Sequence, residues 1–222
     1  MHEGEIFVIL GGSGCGKSTL LKHLVGLLPP LAGQISIDGV DLSACSEQEL
    51  QQTLRKIGVL FQSGALLGSM TLAENVALPI REYTGLPQAA VDTLVRMKLN
   101  LVNLGGYEQY LPGEISGGMK KRAGLARAIA LNPKILFFDE PSAGLDPIMS
   151  AELDNLILRL NKTLGTTMVI VTHELQSIFA VAQRVIMLDR QTKSIIAEGD
   201  PAFLRDQSQN RFVKQFFNRQ AG

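Results

Sequence analysis

Gly11-Gly12-Ser13-Gly14-Cys15-Gly16-Lys17-Ser18-Thr19 follows an apolar run, Ile6-Phe7-Val8-Ile9-Leu10, and leads into the helical run Leu20-Leu21-Lys22-His23-Leu24. Strand, glycine-rich loop and helix, in that order, are the context in which G-x-x-x-x-G-K-[ST] cradles a polyphosphate. Glycines let the backbone turn so that successive N–H groups point inward. The positive end of the following helix adds to that field. Lys17 can reach the β- and γ-phosphates, and the Ser18 hydroxyl can ligate Mg²⁺. The stretch predicts a nucleoside-triphosphate site. Cys15, at the helix N-terminus beside Lys17, is a candidate for alkylation that bound nucleotide would block, or else a small residue filling a variable position.

Composition narrows the remaining choices. At 222 residues the chain can bury one sizeable α/β core, or a core with a subdomain. Lys plus Arg equals Asp plus Glu at 21 each, so no global charge points to nucleic acid or an anionic surface. Two cysteines, Cys15 and Cys45, make no disulfide framework and suit a reducing compartment. No apolar run approaches the roughly 18 residues that span a bilayer. Met1-His2-Glu3-Gly4-Glu5 is acidic, unlike a signal peptide. The expectation is a soluble, cytoplasmic protein that meets a membrane only through a partner.

Along the chain, strand-like and helix-like runs alternate, the signature of a parallel α/β sheet. Residues 33–39 read as a short strand and a turn ending in Asp38-Gly39, and Ser46 to Glu49 as a capping box opening a helix through Leu54. Ile57 to Phe61 is a strand running into Gln62. From Ser63 to Asn132 helical patterns predominate, at Thr71 to Ile80, Gln88 to Val102 and Gly117 to Leu131. Strands return at Ile135 to Phe138, Met168 to Val171 and Val185 to Leu188. This divides the chain into a core of residues 1–64 and 133–199, a helical insertion of residues 65–132 and a tail of residues 200–222.

Ile135-Leu136-Phe137-Phe138-Asp139-Glu140 is a buried strand ending in two acids, where a parallel sheet places its ligands. Asp139 can hold Mg²⁺, and Glu140 can orient or deprotonate an attacking water. Ile115-Ser116-Gly117-Gly118-Met119 then presents a hydroxyl and two glycine amides at a helix start, either an anion site or an ordinary N-cap. The basic residues that follow, Lys120, Lys121, Arg122 and Arg127, read as a solvated face.

Together these residues resemble the ATP-binding-cassette (ABC) ATPases over nearly the whole chain, which implies a RecA-like P-loop core with a helical signature subdomain. Gly11 to Thr19 is similar to the Walker A loop, Gln62 to the Q-loop glutamine, and Ser116 to Met119 to the family signature. Ile135 to Glu140 resembles Walker B, Ser142-Ala143-Gly144-Leu145-Asp146 the D-loop, and His173 the switch histidine. The resemblance implies that Glu140, His173 and Gln62 are catalytic and that Ser18, Gln62 and Asp139 hold Mg²⁺. ATP would contact Gly11, Gly12, Ser13, Gly14, Cys15, Gly16, Lys17, Ser18 and Thr19, and also Ser116, Gly117, Gly118 and Asp146. It further implies a homodimer in which each ATP is sandwiched between the Walker A loop of one copy and the signature of the other.

A narrower resemblance runs from Phe61 through Thr71, then Glu74-Asn75-Val76 and Pro79-Ile80-Arg81-Glu82, with Met119 where the general signature has Gln. It is to the ATPases of Mla-type, Mce-associated lipid transporters. It implies phospholipid transport driven from the cytoplasmic face of an inner membrane. The implied partners are transmembrane permease subunits, an envelope lipid-binding protein and a small cytoplasmic regulator. Control of cell-wall hydrolases at division and organic-solvent export are the alternatives. DNA-repair and chromosome ABC ATPases carry coiled-coil or zinc-binding insertions, and the sequence has neither heptads nor clustered cysteines. One departure stands out: the family carries an adenine-stacking aromatic on a strand well ahead of Walker A, whereas this chain starts ten residues before Gly11 and Phe7 sits inside the strand, where it should pack in the core. Either the chain is truncated or adenine is held otherwise. Stacking is worth about 1–3 kcal/mol in nucleic-acid binders, so its loss would weaken ATP binding by one or two orders of magnitude. In the tail, Phe212, Val213, Phe216 and Phe217 share one helical face, to be covered either by the chain's own core or by a partner.

Overall fold

β1 (Ile6–Gly11) is buried along its whole length at the middle of the sheet in the computed structural model, which describes residues 1–219. An unbroken apolar run is what a parallel strand covered on both faces requires. Ile6, Val8 and Leu10 join the larger core cluster, while Phe7 and Ile9 join a smaller one. That split follows the two-residue period of a strand. After the glycine-rich loop come α1 (Lys17–Leu24), β2 (Ser36–Ile37), β3 (Val40–Asp41), α2 (Glu47–Leu54) and β4 (Ile57–Leu60). Three helices follow, α3 (Leu72–Tyr83), α4 (Gln88–Leu101) and α5 (Gly117–Ala128). The chain then returns to the sheet through β5 (Ile135–Asp139), α6 (Pro147–Leu164), β6 (Thr167–Val171), α7 (Leu175–Val181) and β7 (Arg184–Leu188). β8 (Ile195–Gly199), α8 (Pro201–Gln207) and α9 (Arg211–Asn218) complete it.

The strand order is β4-β5-β6-β1-β7-β8, parallel except for β8, which runs antiparallel along the edge beside β7. Parallel strands finish on the same side, so Leu60, Asp139, Val171 and Gly11 bring their following loops together. That is where open α/β sheets bind their ligands.

Local chemistry explains the element boundaries. α2 and α3 both begin with capping boxes, Ser46 with Glu49 and Thr71 with Glu74. Asp38 and Gly39 both have positive φ, at 52° and 80°, so Asp-Gly closes a hairpin where the sequence suggested a strand and turn alone. Asn75 is fully buried in α3. It donates to the carbonyls of Leu67, Met70 and Thr71 and accepts from Leu67 N at 2.8 Å, stitching the loop before the helix to its first turn. The larger core cluster runs without a break from the sheet into α3, α4 and α5.

Residues beyond Asp200 are more structured than a tail. Asn210 caps α9, and Val213 and Phe217 are buried in the chain's own core. Phe217 packs its ring against Phe179 at 5.8 Å and Phe216 at 5.6 Å. Phe212 is 44% exposed, so the four aligned residues do not share one buried face. The last part of the tail, Gln220 to Gly222, lies outside the described residues.

Candidate active site

Gly16 begins α1 in the left-handed region, at φ 99°, and no side chain caps the helix. The first-turn amides are therefore left without an internal partner. A cavity of about 640 Å³ is lined by Gly11 to Gly14, Gly16 to Thr19, Gln62, Glu140, His173 and Phe216. Gly11 is also required: it has positive φ, and a Cβ there would run into the carbonyl oxygen of Leu188 and the thiol of Cys15. Cys15 itself is not among the lining residues; its sulfur packs under Gly11.

The charged groups converge on this cavity from several strand ends. The Lys17 ammonium is nearly buried and donates to Gly11 O at 2.9 Å and Gly12 O at 3.2 Å, which keeps it at the cavity wall. The Ser18 hydroxyl donates to Asp139 Oδ1 at 3.3 Å, joining the loop to the end of β5. These hard oxygens suit Mg²⁺, which takes one or two protein ligands and completes its shell with phosphate and water. Gln62, just past β4, reaches the same cavity.

Glu140 is the strained member. Its φ is +46°, a conformation costing a non-glycine residue roughly 1–2 kcal/mol. The backbone is held there by Glu140 N donating to Val171 O at 2.8 Å. One carboxylate oxygen, Oε1, shares a hydrogen bond with His173 Nδ1 at 2.9 Å. The other, Oε2, is buried with no protein partner. Strain and an unpaired buried acceptor at one residue are marks of a functional position.

The signature residues stand apart from this cavity. Ser116 caps α5, accepting from Met119 N at 3.3 Å, and Ser116 and Gly117 are exposed. Asp146 caps α6, its Oδ1 accepting from Ile148 N and Met149 N, both at 3.0 Å. Neither Ser116 to Gly118 nor Asp146 lines the cavity of its own chain. The structure thus assembles Gly11 to Gly14, Gly16 to Thr19, Gln62, Asp139, Glu140 and His173, puts Cys15 beneath the loop, and separates Ser116 to Gly118 and Asp146. Sequence reasoning missed Phe216, which α9 brings to the cavity. It also misread part of α5: Lys121 is buried, and Arg127 donates to Ala65 O at 2.8 Å and Gly64 O at 3.1 Å.

Residues 1–143 match the model of the ABC transporter family. The chain belongs to that family. A Mycobacterium leprae protein named a probable ribonucleotide transport ATP-binding protein, Mkl, is 47% identical over 97% of this chain and 61% of its own length. The intermembrane phospholipid transport system ATP-binding protein MlaF of Haemophilus influenzae is 44% identical over 97% of this chain and 81% of its own. MlaF of Escherichia coli is 42% identical over 97% and 79%. The chain thus spans about three-fifths of the mycobacterial relative's length. Among solved structures, a dimeric ATP-binding cassette in a post-hydrolysis state with ADP and phosphate superposes with a TM-score of 0.81, at 32% identity, covering 90% of this chain and 87% of that one. A cassette from Clostridium perfringens, part of an ABC transporter complex, gives 0.84 at 28% identity, covering 93% and 81%.

Proposed function

We propose that this chain is the ATP-binding and hydrolysing subunit of an ABC transporter that moves phospholipid in a bacterial cell envelope. The observation that carries the chemistry is the cavity shared by the phosphate loop, Glu140 and His173, with Asp139 joined to it through the Ser18 hydroxyl. The α1 amides and Lys17 hold the β- and γ-phosphates. Ser18 and Asp139 would hold Mg²⁺ with help from Gln62, and the ion would neutralise charge on the transferring phosphoryl group. Glu140 accepts the proton of the attacking water through Oε2, while His173 fixes the carboxylate through Oε1 and faces the γ-phosphate.

The exposed Ser116-Gly117 turn supports a homodimer, because an anion site at one helix start is useful only if nucleotide reaches it from a second copy. A groove of about 610 Å³ between the sheet and α3 suits a helix of a transmembrane permease. It is lined by Leu54, Phe61, Leu78, Pro79 and Tyr83, with the Arg55 guanidinium 4.8 Å from the Tyr83 ring. Among the described residues no helix is long and apolar enough to cross a membrane. Docking on a permease would hold the chain peripherally on the cytoplasmic face. An envelope lipid-binding protein and a small cytoplasmic regulator would complete the assembly that the resemblance to Mla-type lipid transporters implies.

The choice of phospholipid rests on the MlaF relatives, and the name of the Mkl relatives supplies the second reading, ribonucleotide transport. Purifying the chain with its permease and reconstituting both in vesicles separates them. Lipid reading: phospholipid co-purifies, and MgATP drives labelled lipid between vesicles. Uptake of labelled ribonucleotide, without lipid movement, would overturn it.

A further inference from the structure

Lys121 lies in the second turn of α5, where a lysine would ordinarily extend into solvent. Its side chain is instead 6% exposed, and its ammonium donates to Pro141 O and Ala143 O, both at 2.6 Å, with Glu140 O at 3.4 Å. Burial lowers its pKa, while the nearby carboxylates of Glu174 and Glu140 favour the charged form. Burying an ammonium costs several kcal/mol unless its donors are satisfied, and here main-chain carbonyls satisfy them.

Those carbonyls belong to one turn. It begins at strained Glu140 and is closed by Ala143 N donating to Glu140 O at 3.1 Å and Leu145 N to Ser142 O at 3.0 Å. A second contact of the same helix lies just beyond that turn, on the first turn of α6. Gly118 packs so closely on Met149 and Leu145 that a Cβ would strike the Met149 methyl. The start of α5 is therefore held to the Glu140 turn by the Lys121 ammonium and to α6, which follows that turn, by close approach.

We propose that Lys121 is a positioning residue for ATP hydrolysis. Its ammonium holds the main chain from Glu140 to Ala143, keeping Glu140 in its left-handed conformation with the carboxylate aimed at the cavity. A non-glycine residue stays at positive φ only while its surroundings over-determine it. Without the ammonium, those carbonyls lose their charged donor and Glu140 relaxes toward ordinary φ, swinging the base away. Because Lys121 rides on the helix that begins at Ser116, the aim of Glu140 in one chain also follows the position of its own signature turn. The inference rests on reading Glu140 as the base of ATP hydrolysis.

The test compares the full-length wild type with Lys121→Met, Lys121→Arg and Glu140→Gln, measuring steady-state turnover, MgATP affinity, melting temperature and amide hydrogen exchange. A misplacement of about 1 Å can cost on the order of 10²-fold in rate. Lys121→Met should therefore lower kcat by about 10–100-fold with MgATP affinity little changed, and Lys121→Arg, which can still donate to carbonyls, should recover most of the rate. Exchange at the Ala143 and Leu145 amides should rise in Lys121→Met while that of the α5 amides stays put. Wild-type turnover in Lys121→Met overturns the proposal, as does unchanged exchange in the turn. So does a joint fall of rate, affinity and melting temperature that Lys121→Arg leaves unrepaired, since that is a purely structural role. If the wild type itself has no turnover that Glu140→Gln removes, the hydrolytic reading fails, and hydrogen exchange still decides whether Lys121 holds the turn.

Discussion

α1 opens on Gly16 with no side chain capping it, whereas α5 opens on Ser116, whose hydroxyl accepts from Met119 N. Both starts are rich in glycine and followed by lysine, and both lysines donate to main-chain carbonyls. Lys17 donates to Gly11 and Gly12 at a cavity wall, and Lys121 to Pro141 and Ala143 inside a packed turn. Around α1 the same chain supplies hydroxyl, carboxylates and imidazole, so the site is complete on one side. Around α5 the chain supplies the Lys121 contacts behind the helix and, among the described residues, leaves Ser116 and Gly117 exposed in front. On the proposed function, the same helix-start chemistry makes a phosphate cradle in one place and half of a shared site in the other. What differs is which groups the tertiary fold sets opposite.

The largest expected effect tests the complete site. Glu140→Gln keeps the shape of the carboxylate but not its basicity, so turnover should fall by about 10²–10⁴ while MgATP binding persists. Retained ATP should then hold the dimer closed, read as a slower-eluting monomer fraction disappearing on addition of MgATP. Turnover at the parent rate would remove Glu140 from its role. Lys17→Ala should act on binding instead. Losing hydrogen bonds to a charged group costs about 1.5–3 kcal/mol, or roughly 10–100-fold in MgATP affinity by titration calorimetry. Unchanged affinity would mean that α1 is no phosphate site.

Ser116→Ala sharpens the contrast with α5. An N-cap is worth about 0.5–2 kcal/mol, so a modest loss of stability is expected in the free chain. MgATP affinity of dilute, monomeric protein should stay at the wild-type value, while turnover at dimer-forming concentrations falls several-fold. Equal loss of affinity in the dilute protein would show that Ser116 serves its own chain's nucleotide, and the distinction between the two helix starts would collapse.

The α1 side was legible because its signals are local. A strand, a glycine loop and a helix are contiguous, and Asp139-Glu140 ends an apolar run that can only be a buried strand. The capping box at Ser46 sets the start of α2 to the residue, and Thr71 proves to cap α3 in the same way. Asp146-Pro147 at one end and Gly165 at the other mark α6 equally well, a helix that the sequence reading leaves out. β8 was not legible: it is a half-exposed edge strand whose pairing with β7 depends on a distant partner rather than on its own pattern. The burial of Lys121 had a faint signal, since Gly118, Lys121 and Leu125 recur at helical spacing and all three are buried. Charge outweighed periodicity in that reading. A lysine's burial depends on carbonyls some twenty residues further along, which no local pattern contains.

Cys15 should show the smallest effect, and it separates what lines the α1 cavity from what supports it. Its sulfur packs under Gly11 and does not line the cavity, so Cys15→Ala removes no contact that a phosphate would use. A change within about 0.5 kcal/mol, or roughly twofold in MgATP affinity, is expected. Adding bulk is a different matter. Gly11 already approaches Leu188 too closely to accept even a methyl group, so a maleimide on Cys15 must displace the loop, and nucleotide binding should be lost. The same geometry makes nucleotide protective, because a loop held against phosphate cannot open to admit the reagent. Mass spectrometry after brief labelling should show Cys15 shielded by MgATP and Cys45 modified equally with or without it. Equal labelling of Cys15 in both conditions would show that the thiol is reached without moving the loop, and Cys15 would then be a passive filler of its position.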